Sequence, residues 1–137
     1  EMIMVTKPGG NISAYVWDVL EGGAPIVNIL DQFRVLEIDH PYPPSSEVSQ
    51  MERLEETWLE AGLDDVETKQ ISVQRTYENF ADYWDLTSRS ANVSPILDQL
   101  SPDMNERVKK MTQDSLGVDH HESITVNAFA NAVKGTV

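Results

Sequence analysis

The sequence contains no cysteine and few basic residues. Its 137 residues include 10 Lys and Arg against 23 Asp and Glu, and the formal net charge is −13. Without cysteine there is no disulfide framework, thiolate metal site or cysteine nucleophile, and we expect a cytoplasmic protein. The shortage of Lys and Arg argues against a nucleic-acid partner, whose phosphates need basic clusters. No run approaches the roughly 20 apolar residues of a membrane span, so we expect no membrane span.

The length and composition fit one folded domain covering residues 1–137. Hydrophobic residues make up 40% of the chain, and there are three Trp, which suffices for a buried core. The chain begins with Glu1 instead of Met, which fits a processed, truncated or cloned piece.

The most informative segment lies near the N-terminus. Pro8, Gly9 and Gly10 can end a helix and turn the chain, because proline lacks a backbone donor and glycine tolerates positive φ. Residues 12–17 are apolar at both odd and even positions, which predicts a strand buried on both faces. That strand ends in Trp17 and Asp18, where a parallel strand would open onto a ligand crevice.

The remainder of the chain alternates helical and strand patterns. Apolar spacing and capping residues predict helices near 26–37 and 46–61, the second ending at Gly62. Further helices are predicted after the N-caps Asn79, Ser94 and Ser101, the last ending at Gly117, and strands over 66–76 and 123–134. A proline-rich loop is predicted over 39–46.

Four motifs, taken in order, resemble the C-terminal half of a class I S-adenosylmethionine-dependent methyltransferase of the small-molecule type. The Pro-Gly-Gly turn and the strand after it resemble the fifth-strand region of that family. Leu-Glu-Ala-Gly-Leu-Asp-Asp-Val at 59–66 resembles the lead into the sixth strand. Phe-Ala-Asp-Tyr-Trp at 80–84 resembles an insertion helix, and residues 124–134 resemble the seventh strand.

The resemblance implies an α/β fold with part of a Rossmann-like methyltransferase sheet and flanking helices. Its last strand, 123–134, would lie antiparallel between the strands at 12–17 and 66–76. The family's glycine-rich loop and its acidic ribose-binding residue are absent, so the chain resembles the acceptor side without the cofactor side. The implied cofactor is S-adenosylmethionine, and the implied partners are a small apolar or aromatic acceptor and either the missing N-terminal half or a second chain. That half or chain would pair with the open edge of the strand at 12–17.

The resemblance also implies the site residues. Trp17 and Asp18 would line the acceptor pocket; the structural alternative is a core or rim tryptophan and a capping aspartate. Tyr83 and Trp84 would form a lid over the acceptor, or would simply fix a short helix to the core. We expect these four residues to border one concave surface and predict no catalytic acid or base, since methyl transfer needs alignment and a dry pocket.

Other functions have weaker support. A metal site is suggested by the residue types of His120, His121 and Glu122. Adjacent strand residues point to opposite sides, however, so both imidazoles cannot easily face one ion, and we expect a solvated turn without metal. A hydrolase using Asp18 or a histidine lacks a nucleophile elbow. The main alternative to the methyltransferase is a non-catalytic binding or dimerisation module with the same strands.

Overall fold

The computed structural model describes residues 1–40, 46–119 and 122–137. The strands are β1 (Asn11–Trp17), β2 (Asp64–Tyr77) and β3 (Ile124–Thr136). The α-helices are α1 (Val27–Val35), α2 (Met51–Glu60), α3 (Phe80–Ser88), α4 (Ser94–Leu97) and α5 (Pro102–Leu116), with short 3₁₀ turns at Ile3–Val5 and Ser46–Ser49. The chain is therefore mixed α/β, as predicted.

The strand β3 is central in a three-stranded antiparallel sheet of order β1-β3-β2. It pairs with β1 from Asn11 opposite Thr136 to Trp17 opposite Ala130. This confirms the predicted order, in which the last strand lies antiparallel between the other two. The strand contains no proline, which a central strand would tolerate poorly.

The described residues divide into two compact units. The first comprises 1–24, 46–73 and 128–137, and the second comprises 25–40, 74–119 and 122–127. The prediction of a single domain over 1–137 stays a prediction. The predicted loop at 39–46 falls mostly on residues 41–45, and the predicted turn at His120 and His121 falls on residues 120–121. Both stretches lie outside the described residues.

In the first unit, α2 covers one face of the sheet. Leu54 and Trp58 of α2 pack with Leu63 and Val133, and Ile12 joins the edge of this cluster. Gly135 lies beneath Trp58, since a Cβ atom there would be 3.4 Å from the Trp58 ring. The sheet therefore has a helical layer on this side.

In the second unit, one core cluster forms around aromatic side chains. Tyr77, Phe80 and Tyr83 pack with Ile124 and Val126 of β3. The rings of Tyr77 and Tyr83 meet edge to face, with centroids 5.1 Å apart, a favoured aromatic geometry. In the same unit α1 packs against α5.

The prediction that β1 is buried on both faces is wrong. Tyr15 is 79% exposed and Trp17 is 40% exposed, and Val16 is also exposed. Ile12 and Ala14, on the α2 side, pack against a core cluster of described residues. An apolar run predicts a strand but does not supply the second layer that would cover it.

Local signals set several helix ends as predicted. The Asn79 side chain caps α3 by accepting from the Asp82 amide at 3.1 Å, and Ser101 caps α5. Gly62 and Gly117 adopt positive φ after their helices. The expected cap at Ser94 is wrong, because Ser94 is already helical and its predecessor has no capping side chain.

Candidate functional site

A buried polar cluster lies directly after β1. Asp18 follows Trp17 and is only 4% exposed. Its Oδ1 accepts a hydrogen bond from the Glu21 amide at 3.1 Å, and its Oδ2 accepts from Nδ2 of Asn131 at 2.8 Å. The carboxylate thus closes the turn behind β1 and ties it to the central strand.

Asn131 is the centre of this cluster. It is 1% exposed, and its Nδ2 donates both to Asp18 and to the backbone carbonyl of Ser49 at 2.9 Å. Its Oδ1 is buried and accepts no hydrogen bond from the described residues. One amide therefore connects β3, the turn after β1 and the 3₁₀ turn before α2, all within the first unit.

Gly23 completes the connection between this turn and β3. Its amide donates to the Asp18 carbonyl at 2.6 Å, and its own carbonyl accepts from the Phe129 amide at 3.0 Å. A Cβ atom at Gly23 would collide with the Phe129 carbonyl oxygen. Only glycine permits this close approach of two backbones.

Trp17 and Asp18 have opposite environments although they are neighbours in sequence. Trp17 is partly exposed at the end of β1, whereas Asp18 is buried and hydrogen-bonded. Trp17 can offer ring surface to a ligand. Asp18, in the described residues, uses both of its carboxylate oxygens for contacts within the protein.

Tyr83 and Trp84 lie in the second unit. Tyr83 is fully buried, and Nδ2 of Asn28 donates to its hydroxyl at 3.5 Å. Burial raises the pKa of the Tyr83 hydroxyl above 10.0, and the hydrogen bond from Asn28 opposes this in part. Trp84 packs at the edge of the same cluster as Phe80. This packing matches the core-fixing alternative, and the acceptor-lid role of both residues stays a prediction.

The four predicted site residues thus fall into two pairs, one in each unit. The prediction that they border one concave surface stays a prediction. Asn131 is the residue that sequence reasoning missed. Its signal was a single amide inside the otherwise apolar stretch Ala-Phe-Ala-Asn-Ala-Val at 128–133, since a buried polar side chain needs partners.

The described residues contain no group of three or more His, Asp or Glu side chains that could hold a metal ion. No helix in the described ranges is long and apolar enough to cross a membrane. No protein-family model matches the chain, and no curated protein matches it.

Proposed function

We propose that this chain is the acceptor side of a class I S-adenosylmethionine-dependent methyltransferase acting on a small apolar or aromatic molecule. The observation that carries the proposal is the strand order β1-β3-β2 with β3 antiparallel to β1. Three-stranded sheets of this order occur in other folds. Combined with the four ordered sequence motifs, the order supports assigning β1, β2 and β3 as the fifth, sixth and seventh strands of the family.

The unpaired edge of β1 supports the proposal that a further strand pairs there. Among the described residues β1 pairs only with β3, so its outer row of backbone donors and acceptors is open. Residues 11–17 carry no charge and no proline, the devices that usually protect an edge strand. A strand from the cofactor half would add here.

The described residues do not fit the methyl donor. The glycines after β1 are the nearest resemblance to a nucleotide-binding turn, but Gly23 is occupied by its approach to the Phe129 carbonyl. Gly22 and Gly23 also lack the spacing of a dinucleotide-binding loop. The proposal therefore assigns to this chain the acceptor side alone, and no donor-binding step.

On the acceptor side, Trp17 is the residue best placed to contact a ligand. Its ring is 40% exposed at the carboxyl end of β1, and an aromatic ring offers a large, stiff contact surface. The hydrogen bonds of Asp18 to Glu21 and Asn131 fix the turn that follows this ring. The polar cluster thus anchors the turn directly after Trp17.

The test is calorimetry with S-adenosylhomocysteine. The 137-residue chain alone should not bind it tightly. The same chain joined to an upstream cofactor half of about 120 residues, a size set by typical domains, should bind. In that complete protein, Trp17→Ala should lower acceptor turnover more than donor affinity. Absence of binding by the joined protein, or an equal loss of donor affinity and turnover in Trp17→Ala, would contradict the proposal.

A second candidate is a non-catalytic module that dimerises through β1, and the open edge favours it too. Size-exclusion chromatography with light scattering on the 137-residue chain measures this directly. A stable dimer that Ser13→Lys converts to monomer, together with a joined protein that binds no S-adenosylhomocysteine, would favour the module.

A further inference from the structure

One face of the sheet in the first unit has small residues along its centre. Residues directly opposite one another in an antiparallel pair project to the same side of a sheet. The pairing of β1 with β3 places Tyr15 opposite Ala132 and Trp17 opposite Ala130. Two aromatic side chains therefore stand along β1 beside two alanines on β3.

The strand β2 forms the other side of this depression. Glu67 of β2 contacts Lys134 of β3, with Oε2 and Nζ 3.1 Å apart. Moving two residues forward on β2 and two residues back on β3 stays on the same face, which places Lys69 beside Ala132 and Ile71 beside Ala130. We name this feature the alanine trough: a floor of Ala130 and Ala132, one wall of Tyr15 and Trp17, and one wall of Lys69 and Ile71.

Among the described residues of the first unit, no helix packs on the Ala132 end of the alanine trough, whereas Ala130 at the other end is buried, at 7% exposed. Tyr15, Trp17 and Ile71 are 79%, 40% and 42% exposed, whereas α2 packs on the opposite face through Trp58 and Val133. A cavity of about 440 Å³ lies at the end of the trough that holds Tyr15, Lys69, Ile71 and Ala132. That volume falls within the range of about 300–1,000 Å³ typical of small-molecule sites.

The charge at this end of the trough is opposite to that of the chain. Lys134 is paired with Glu67, whereas Lys69 is exposed and has no ion pair within the described ranges. The chain as a whole carries −13. A cationic side chain next to an apolar floor is complementary to a molecule with an apolar body and one negative group.

We propose that the alanine trough binds an apolar carboxylate. The hydrocarbon or ring lies on Ala132 between Tyr15 and Ile71, which line the cavity, and the carboxylate pairs with the Lys69 ammonium. An alkyl or aryl body gains from the removal of apolar surface from water, and the ion pair sets its direction. A second copy of the chain is a poorer occupant, because two chains of charge −13 repel each other. This proposal does not depend on the methyltransferase assignment.

The test titrates the 137-residue chain with dodecanoate, with the dodecyltrimethylammonium cation of equal chain length, and with neutral dodecanol, all below their micelle or solubility limits. Affinities come from calorimetry, and backbone amide spectra locate the binding. Unspecific association with a chain of charge −13 favours the cation. The proposal instead expects dodecanoate to bind more tightly than the cation, with amide shifts at Tyr15, Lys69 and Ala132.

Two variants and one control sharpen the result. Lys69→Gln should weaken dodecanoate binding about threefold, as expected for one partly exposed ion pair, and leave dodecanol unaffected. Ala132→Leu fills the floor and should weaken both. Lys109→Gln on α5 removes the same charge from the second unit and should change neither.

Three results would overturn the proposal. They are tighter binding of the cation than of dodecanoate, equal effects of Lys69→Gln and Lys109→Gln, and amide shifts that avoid the trough. A ligand-free dimer that covers Tyr15 and Ile71, detected by light scattering and amide protection, would overturn it as well, because the trough would then serve as a protein interface. Lys69 is exposed, so its variant should keep the parent amide spectrum and remain informative even if Ala132→Leu does not fold.

Discussion

Replacing Asn131 by aspartate tests the buried cluster most directly. The substitution keeps the shape of the side chain but replaces an amide donor, 2.8 Å from Oδ2 of Asp18, with a carboxyl group. Two carboxylates about 3 Å apart repel by about 5 kcal/mol at an effective dielectric constant of about 20. When protonating the introduced carboxyl costs less free energy than this repulsion, the carboxyl is protonated in the folded protein.

The cost of protonation sets the magnitude. A carboxyl with an unfolded pKa of about 3.9 costs about 4 kcal/mol to keep protonated at pH 7, at about 1.4 kcal/mol per pH unit. The lost hydrogen bond to the Ser49 carbonyl adds about 1 kcal/mol. Because the folded-state pKa of the introduced group is raised, the destabilisation should be about 4–5 kcal/mol at pH 7 and should shrink to about 1 kcal/mol near pH 4.

Urea unfolding followed by circular dichroism at several pH values from 4 to 7 gives the difference between Asn131→Asp and the parent chain. Asn127→Asp is the matched control, since Asn127 lies on the same strand but is exposed and bonded to Gln74. The control should differ from the parent by no more than about 0.5 kcal/mol, as is usual at surface positions. A deficit for Asn131→Asp that does not vary with pH would refute the contact with the Asp18 carboxylate.

Three further predictions concern other local features. Gly23→Ala should lower stability by about 2–3 kcal/mol in thermal unfolding, because the new Cβ collides with the Phe129 carbonyl, which cannot move without disturbing β3; an unchanged melting temperature would contradict this close approach. Ser101→Ala should cost about 1 kcal/mol through loss of the α5 cap, whereas Ser94→Ala should cost less than about 0.5 kcal/mol; equal losses would refute the assignment of caps. The folded-state pKa of Tyr83 is raised above 10.0 by burial, so its contribution to stability is complete below pH 10 and is lost as the pH rises through the folded-state value. The stability of Tyr83→Phe should therefore fall less steeply with pH than that of the parent above pH 10, in an alkaline titration followed by circular dichroism. Identical curves would contradict the burial of the hydroxyl.

Features that depend on a few neighbouring residues were predictable from the sequence. The caps at Asn79 and Ser101 and the positive φ of Gly62 arise from side chains and backbone within one helical turn. Ser94 was mispredicted by the same rule, because the helix begins one residue earlier than expected, at Ser94 itself. The central position of β3 was also predicted, but from family resemblance and apolar length instead of local chemistry.

The candidate site could be predicted only in part. The sequence singled out Trp17 and Asp18 because they end an apolar run. It could not reveal that Asp18 is buried against Asn131, since the two residues are 113 positions apart and meet only when β3 enters the sheet. Tyr83 shows the same limit: its aromatic character suggested either lid or core, and the packing against Tyr77 and Phe80 depends on the tertiary fold.

By itself, the sequence determined the type and approximate position of the strands and major helices, because hydrophobic periodicity and capping are encoded within short segments. Tertiary structure alone decided which face of each strand is covered. The run at 12–17 is apolar at every position but one, yet α2 packs on the side of Ile12, and Tyr15 remains exposed on the other. Burial depends on whether a second layer is present, and that is a property of elements distant in sequence.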